Sequence, residues 1–488
     1  MKLPRWIATA ALLGLTVPIL PAMADDQAEL IKQLLQRIDS LEKKVNALEH
    51  SPGTVATSPA ATVPAERFDA LEQQFKVLGR QNELAAEAAA EKAKTAPVLS
   101  IGASGFQFRS ADTNFVLKIK GLAQLDSHWY FNDGGVNNND SFVLRRARLI
   151  AEGTFYKSFE YQFVPEFGGS SPSILDANVS YKYDSWLQVK AGKFKSPVGL
   201  EQLQSDANML FIERAFPSQL TPNRDLGVQV SGDVLDGRLS YAAGVFNGAG
   251  DGRNGGNSDI DDEKEFAGRL FAQPFINSNN QWLKGLGFGI GGSIGNEEGV
   301  DLTPNNTGFS TDGQQKWFTY KSGIIADGNH WRLSPQAYYY AGPFGLLAEY
   351  AISDQQLRSG TNAATFKFDE IDNTGWQVAG SYVITGETPS YKGVTPRHNL
   401  NFSEGTWGAL ELVARYSELG IDPNAFPTFA DATANPRRAH AYSVGINYYP
   451  NNIFRASIQY TLTDFDGGSG TGNKHSENAL LTRFQISF

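Results

Sequence analysis

From about residue 98 to its last residue, the chain alternates apolar and polar side chains with a period of two, segment after segment. Phe115, Leu117 and Ile119 alternate with Val116, Lys118 and Lys120. Val143, Ala147, Leu149, Ala151 and Phe155 alternate with Arg146, Arg148, Glu152 and Thr154, and Leu410, Leu412, Ala414 and Tyr416 with Glu411, Val413, Arg415 and Ser417. That period puts one register on each face of a pleated strand. Tight turns such as Asp184-Ser185, Asp236-Gly237 and Asn451-Asn452 trade places with longer polar segments such as Asn132 to Ser141, Ala249 to Lys264 and Asp466 to Ser476. Strands of this kind have two homes. One is a water-soluble sandwich or propeller with the apolar face inward. The other is a closed barrel in lipid with the apolar face outward.

The flanking features choose the second. Residues 1–24 read as an export signal: Lys2 and Arg5, an apolar stretch from Trp6 to Leu20, then Ala22-Met23-Ala24 as a cleavage site. The stretch is short and holds Pro18 and Pro21, which disfavours a retained membrane anchor. No later apolar run is long enough to be a transmembrane helix, and a barrel would not show one. The chain has no Cys, which suits an oxidising compartment, and its net charge of −10 argues against a nucleic-acid partner. Trp331, Tyr338-Tyr339-Tyr340 and Tyr448-Tyr449 fall near strand ends, where an aromatic girdle lies, and the chain ends on Phe488. Residues 97–488 are therefore expected to form an all-β transmembrane barrel of about 16 antiparallel strands, set in the lipid of a Gram-negative outer membrane.

A helical neck precedes it. Ile31, Leu34, Ile38, Leu41, Val45 and Leu48 are spaced 3-4-3-4-3, which predicts a short periplasmic α-helical coiled coil over residues 25–50. An isolated amphipathic helix on the periplasmic face is the alternative. The Ile/Val and Leu pattern leans toward a dimer. Residues 51–65, rich in Pro, Ala and Thr, read as a linker, and residues 66–96 as a second helical segment ended by Pro97.

A barrel of this size leaves an aqueous lumen, and something must narrow it. The segment 195–222 is the candidate, because Leu203, Met209, Leu210, Phe211 and Ile212 give it apolar anchors that an external loop does not need. If the apolar register faces lipid, the lumen receives Lys118, Lys120, Arg146, Arg148, Lys182, Lys190, Arg238, Arg269, Arg332, Arg415, Arg455 and Arg483. Fewer carboxylates share it: Asp126, Glu152, Glu160, Glu166, Asp176, Glu349 and Glu411. A basic lumen in an acidic chain favours anions. Cross-strand pairing of these cations with carboxylates would leave a general, weakly selective pore instead. Arg145 falls on the lipid-facing register unless a bulge turns it inward, and Lys193 carries the same ambiguity.

The stretch Gly192-Lys193-Phe194-Lys195-Ser196-Pro197-Val198-Gly199-Leu200-Glu201, then Phe211-Ile212-Glu213-Arg214 and Leu220-Thr221-Pro222-Asn223-Arg224-Asp225-Leu226-Gly227, resembles the phosphate-selective porin O and P family. Leu144-Arg145-Arg146-Ala147-Arg148-Leu149, Val245-Phe246-Asn247-Gly248, Trp407-Gly408-Ala409-Leu410-Glu411-Leu412 and Arg483-Phe484-Gln485-Ile486-Ser487-Phe488 fit the same resemblance. It implies a homotrimer, at odds with the dimer lean of the heptad, and a third loop folded inward. It also implies guidance of inorganic anions, phosphate above all, by Arg146, Arg148, Lys193 and Arg214. One departure stands out. Where the resemblance implies a lysine in the inserted loop, this chain reads Ser205-Asp206-Ala207-Asn208.

Enzyme chemistry finds little support. Gly287-x-Gly289-x-x-Gly292 and Gly291-x-Ser293-x-Gly295 lie in a glycine-rich strand with no helix to follow, so small residues alternating along a strand explain both. The His residues show no metal-ligand spacing, and no cofactor is expected. A tether, with the neck gripping the cell wall and the barrel as anchor, is the remaining alternative to a channel.

Overall fold

The computed structural model describes Ser40, Lys43 and residues 65–131, 139–169, 171–259, 261–302 and 308–488. The export signal, the first heptad segment and the linker fall outside the described residues, save for Ser40, Lys43 and Ala65. The chain divides into two compact units, residues 1–87 and 88–488. Helix α1 (Ala65–Thr95) makes up, with Ser40 and Lys43, the described part of the first, and its last residues belong to the second. Its surface carries a Glu72–Lys76 pair at 2.8 Å, one helical turn apart. Lys92 and Lys94 in the last turn suit the negative end of the helix dipole. Pro97 disfavours helical geometry at Ala96, so the helix stops there. Phe75 and Leu78 on α1 are exposed.

In the second unit a short hairpin, Val98–Gly102 and Gly105–Arg109, leads into the barrel. Its strands are β1 (Phe115–Phe131), β2 (Ser141–Phe155), β3 (Phe159–Glu166), β4 (Ser173–Asp184), β5 (Leu187–Lys195), β6 (Arg224–Val234), β7 (Leu239–Phe246) and β8 (Glu265–Ala272). The second half is β9 (Leu286–Asp301), β10 (Ile325–Ala341), β11 (Phe344–Ser359), β12 (Lys367–Val383), β13 (Ala409–Gly420), β14 (Pro436–Tyr449), β15 (Phe454–Ser469) and β16 (Glu477–Ser487). Among the described residues these 16 strands pair antiparallel, each with its neighbour in sequence, and β16 pairs back onto β1 to close the ring. Five of the seven connections at one end are short (156–158, 185–186, 235–238, 342–343, 450–453), and those at the other are mostly longer.

The alternation maps onto the wall as the period requires. Phe142, Val179, Phe266, Ile294, Val444 and Phe484 stand exposed on the outer face, and Gln124, Asp126, Gln377, Ser443 and Arg483 are buried inside. An outward apolar band is stable only against lipid. Of the register shifts along the ladders, one moves arginines of the lumen. The ladder passes from Gln124↔Arg146 to Leu125↔Leu144, so Arg145 is an extra residue bulged out of β2. Beyond the bulge Phe142 and Leu144 point outward, and Arg145 turns into the lumen beside Arg146. The bulge takes the inward alternative left open for Arg145, and it corrects the expected placement of Val143 on the lipid face.

Closure depends on a missing side chain. Gly121 N donates to Phe488 O at 2.9 Å, and Phe488 N donates to Gly121 O at 3.1 Å. A Cβ on Gly121 would meet the Phe488 ring at 2.6 Å, and that ring also packs edge-on against Phe106. Gly121→Val should therefore weaken the seam by ~1–3 kcal/mol, the usual cost of overpacking. The expected readout is a lower midpoint in heat-modifiability on unheated SDS gels. Gly102→Ala, where a Cβ meets nothing within 4 Å, should leave the midpoint unchanged.

Candidate functional site

Several segments fold into the lumen, and three of them shape the site. The first, residues 196–223, joins β5 to β6. Its apolar anchors settle on small or apolar lumen positions: Phe211 on Ala379 and Val413, Ile212 on Ala479 and Leu481, Leu200 on Phe271 and Leu347. Its backbone is taken up by lumen side chains. Leu200 N and Glu201 N donate to the Glu349 carboxylate at 2.6 and 3.2 Å. Ile212 N donates to Gln459 Oε1 at 3.0 Å, and Phe216 N to Ser417 Oγ at 3.1 Å. The carbonyls of Val198, Met209 and Glu213 accept from Gln336, Arg455 and Arg415. Val198 O would lie 2.2 Å from a Cβ on Gly291, so this glycine in the dinucleotide-like run makes room for the segment.

The second segment joins β9 to β10 and is described over residues 308–324. Asp312 accepts from Arg415 Nη2 at 2.7 Å, Gln459 Nε2 at 2.9 Å and Ser443 Oγ at 3.0 Å. Trp317 and Phe318 join Phe216 and Leu220 of the first segment in the largest buried apolar cluster. The third segment, residues 384–408, enters from the short-turn end. Tyr391 stacks on Tyr338, and its hydroxyl donates to Leu200 O at 2.5 Å. The sequence reading singled out the first of these segments and not the other two. The run Trp317-Phe318-x-Tyr320 beside Asp312 held the same signal, apolar anchors in a long polar connection.

These segments fill the side of the lumen walled by β9 to β16. Along the other side, walled mainly by β1 to β8, three contiguous cavities of about 410, 580 and 620 Å³ run from the long-loop end to the short-turn end. The outer and middle cavities share Arg148, Asp206 and Arg224, and the middle and inner ones share Glu152, Gln162 and Lys190. The first shared set stands where the outer and middle cavities meet, a narrow point of the route. Arg146 Nη2 lies 3.3 Å and Arg214 Nη2 2.7 Å from Asp206 Oδ1, and Arg148 Nη1 donates to Asp206 Oδ2. Arg148 also holds Glu166 at 2.6 Å, and Arg224 holds Asp176 at 3.0 Å. The bulged Arg145 grips Glu213 at 2.6 Å, and Arg483 grips Asp126 at 2.7 Å. Burial pulls the Asp206 carboxyl up, but Arg146, Arg214 and Arg148 outweigh it and hold the group well below the usual carboxylate range. Glu213 is held down in the same way, against its burial, by Arg145 and Arg146.

The site residues named from sequence divide into three sets. Arg146, Arg148 and Arg214 converge on Asp206. Lys120, Lys190 and Arg269 line the middle cavity and Lys118 the inner one; Lys120 pairs with Glu152 at 2.5 Å. Lys193 and Arg415 stand apart from the route. Lys193 pairs across the sheet with Ala177 and Leu226, in line with the outward Val189, and its Nζ donates to Asn257 Oδ1 at 2.9 Å. Arg415 is sealed under the inserted segments, between Asp312 and the face of Phe211 at 4.3 Å. Lys182 and Arg238 are exposed at the short-turn end.

A closed lipid-facing barrel with a narrowed, water-accessible lumen defines an outer-membrane channel. The chain belongs to the phosphate-selective porin O and P family, whose model matches residues 117–488. Porin O of Pseudomonas aeruginosa is 25% identical over 422 residues, which cover 79% of this chain and 91% of that protein. Among solved structures, the outer membrane channel DcaP of Acinetobacter baumannii superposes with a TM-score of 0.50 at 11% identity, covering 79% of this chain and 100% of its own. OmpT of Vibrio cholerae, in its trimer form, gives 0.50 at 11% identity, covering 77% and 99%. At that identity these two speak for the fold alone.

Asp312→Ala would leave Arg415 buried without its nearest carboxylate. The expected loss is about 3–5 kcal/mol of stability, read as a lower denaturation midpoint together with noisier open-channel current as the inserted segments loosen. An unchanged midpoint would show that Asp312 does not anchor the second segment.

Proposed function

We propose that the chain forms a water-filled channel for passive diffusion of anions, phosphate and related oxyanions among them. Lys118, Lys120, Arg146, Arg148, Lys190, Arg214 and Arg269 line its path. One observation carries the reading. Among the described residues, no carboxylate comes within ion-pair range of Lys118, Lys190 or Arg269, although all three border the open cavities. Arg269 Nε bonds neutral Gln336 at 2.9 Å, and Lys190 lies 5.4 Å from the Phe194 ring. Cations without an ion-pair partner on a low-dielectric wall raise the local anion concentration and repel cations.

The assembly is proposed as a homotrimer in the outer membrane, in keeping with the trimer form of OmpT. The N-terminal helices are assigned to the periplasm, because the hairpin at residue 98 enters the barrel at its short-turn end. Arg146, Arg148 and Arg214 already hold Asp206, which favours a second reading, a general and weakly selective pore.

The reversal potential of the purified protein in a planar bilayer under a KCl gradient separates the two. Chloride preference is expected, and Lys118→Gln with Lys190→Gln should lower the chloride-to-potassium permeability ratio by about threefold. Cation preference, or a ratio indifferent to both substitutions, overturns the anion reading.

A further inference from the structure

At the narrow point three guanidinium groups from two different elements aim at one place, and a carboxylate of the chain already stands there. Arg146 and Arg148 come from β2, Arg214 from the inserted segment, and all three reach Asp206. Among the described residues Asp206 is the only carboxylate in ion-pair range of Arg146 and of Arg214. Arg148 alone has a second, Glu166. Arg146 is buried, and its Nε has no hydrogen-bond partner. The carboxylate is held in place from the wall. Asp206 O accepts from Gln124 Nε2 at 3.0 Å, and Ala207 O accepts from Gln485 Nε2 at 3.0 Å. Asp206 borders both the outer and the middle cavity, so a solute passing between them passes this group.

Planar guanidinium forks converging from separate elements are the usual means of holding a tetrahedral oxyanion. We infer that Arg146, Arg148 and Arg214 form a latent oxyanion-binding site, and that Asp206 is a tethered counter-anion occupying it. The inference rests on the reading of the lumen as an anion path, and it assigns Asp206 the role of setting affinity there. With the carboxylate in place, a free oxyanion meets a site already neutralised and passes without being retained. Removal of the carboxylate leaves Arg146 and Arg214 with no anionic partner and opens the site to inorganic phosphate.

The test is block of chloride current by inorganic phosphate in planar bilayers, on the full chain, for wild type and for Asp206→Asn, Asp206→Ala and Asp206→Glu. The half-blocking phosphate concentration should fall at least about tenfold in the Asn and Ala variants. Asp206→Glu keeps the charge and should stay near wild type. A wild-type channel already blocked tightly by phosphate, or Asn and Ala variants with unaltered block while chloride selectivity persists, overturns the inference and leaves the anion channel standing. Cation selectivity in every variant sinks the channel reading itself, a distinct result. If the Asn and Ala variants do not assemble, Arg214→Gln gives the second arm. It removes one fork with Asp206 retained, so the half-blocking concentration should not fall; a fall of tenfold would refute the site.

Discussion

Hydrocarbon offers no partner to a backbone N–H or C=O, so a strand crosses a bilayer only when both of its edges are paired inside the protein. The ladder from Phe115 to Ser487 meets that demand by returning on itself, with Ser487 opposite Leu122 and Phe488 bonded to Gly121. Much else follows from closure. A ring of 16 strands is too wide for wall side chains to fill. Its outer register must be apolar, and its inner register is left to meet water or whatever else enters.

What enters is backbone, and backbone inside a barrel carries the same demand. Segment 196–223 cannot form a ladder, so its N–H and C=O groups are satisfied singly by Glu349, Gln459, Ser417, Gln336, Arg455 and Arg415. This divides the lumen-facing polar residues by role. Those on β9 to β16 serve mainly as receptors for inserted chain. Those on β1 to β8 face mainly open cavity. Arg415 and Arg269 occupy equivalent inward registers, yet one is a buried clamp and the other borders water.

Period-two alternation made the closed barrel and its inner register legible from sequence, because facing is a local property of a strand. Three features were not legible for the same reason. The bulge at Arg145 adds a residue to one strand only, and nothing in Leu144-Arg145-Arg146 marks which residue is extra. Lys193 is outward yet covered, since Asn257 from another connection folds over it. Arg415 is inward yet sealed, since Asp312 lies far away in sequence. Each fate depends on a distant segment arriving, and alternation carries no information about that.

The arrangement at Asp206 shows how stability and affinity compete for one site. Guanidinium groups crowded where water is scarce repel one another and are costly to bury unless an anion joins them. A solute anion in that role makes the folded state more stable as its concentration rises, and such a site is also one that retains the solute. A carboxylate carried by the chain fills the same place at any solute concentration. Four groups, Arg146, Arg148, Arg214 and Asp206, then hold the constriction in shape without help from the medium. On the proposed anion path, the attracting field is left to Lys118, Lys190 and Arg269, which meet no carboxylate within ion-pair range among the described residues. Shape at the narrow point and attraction along the path thus rest on different cations, and each can change in evolution without dismantling the other.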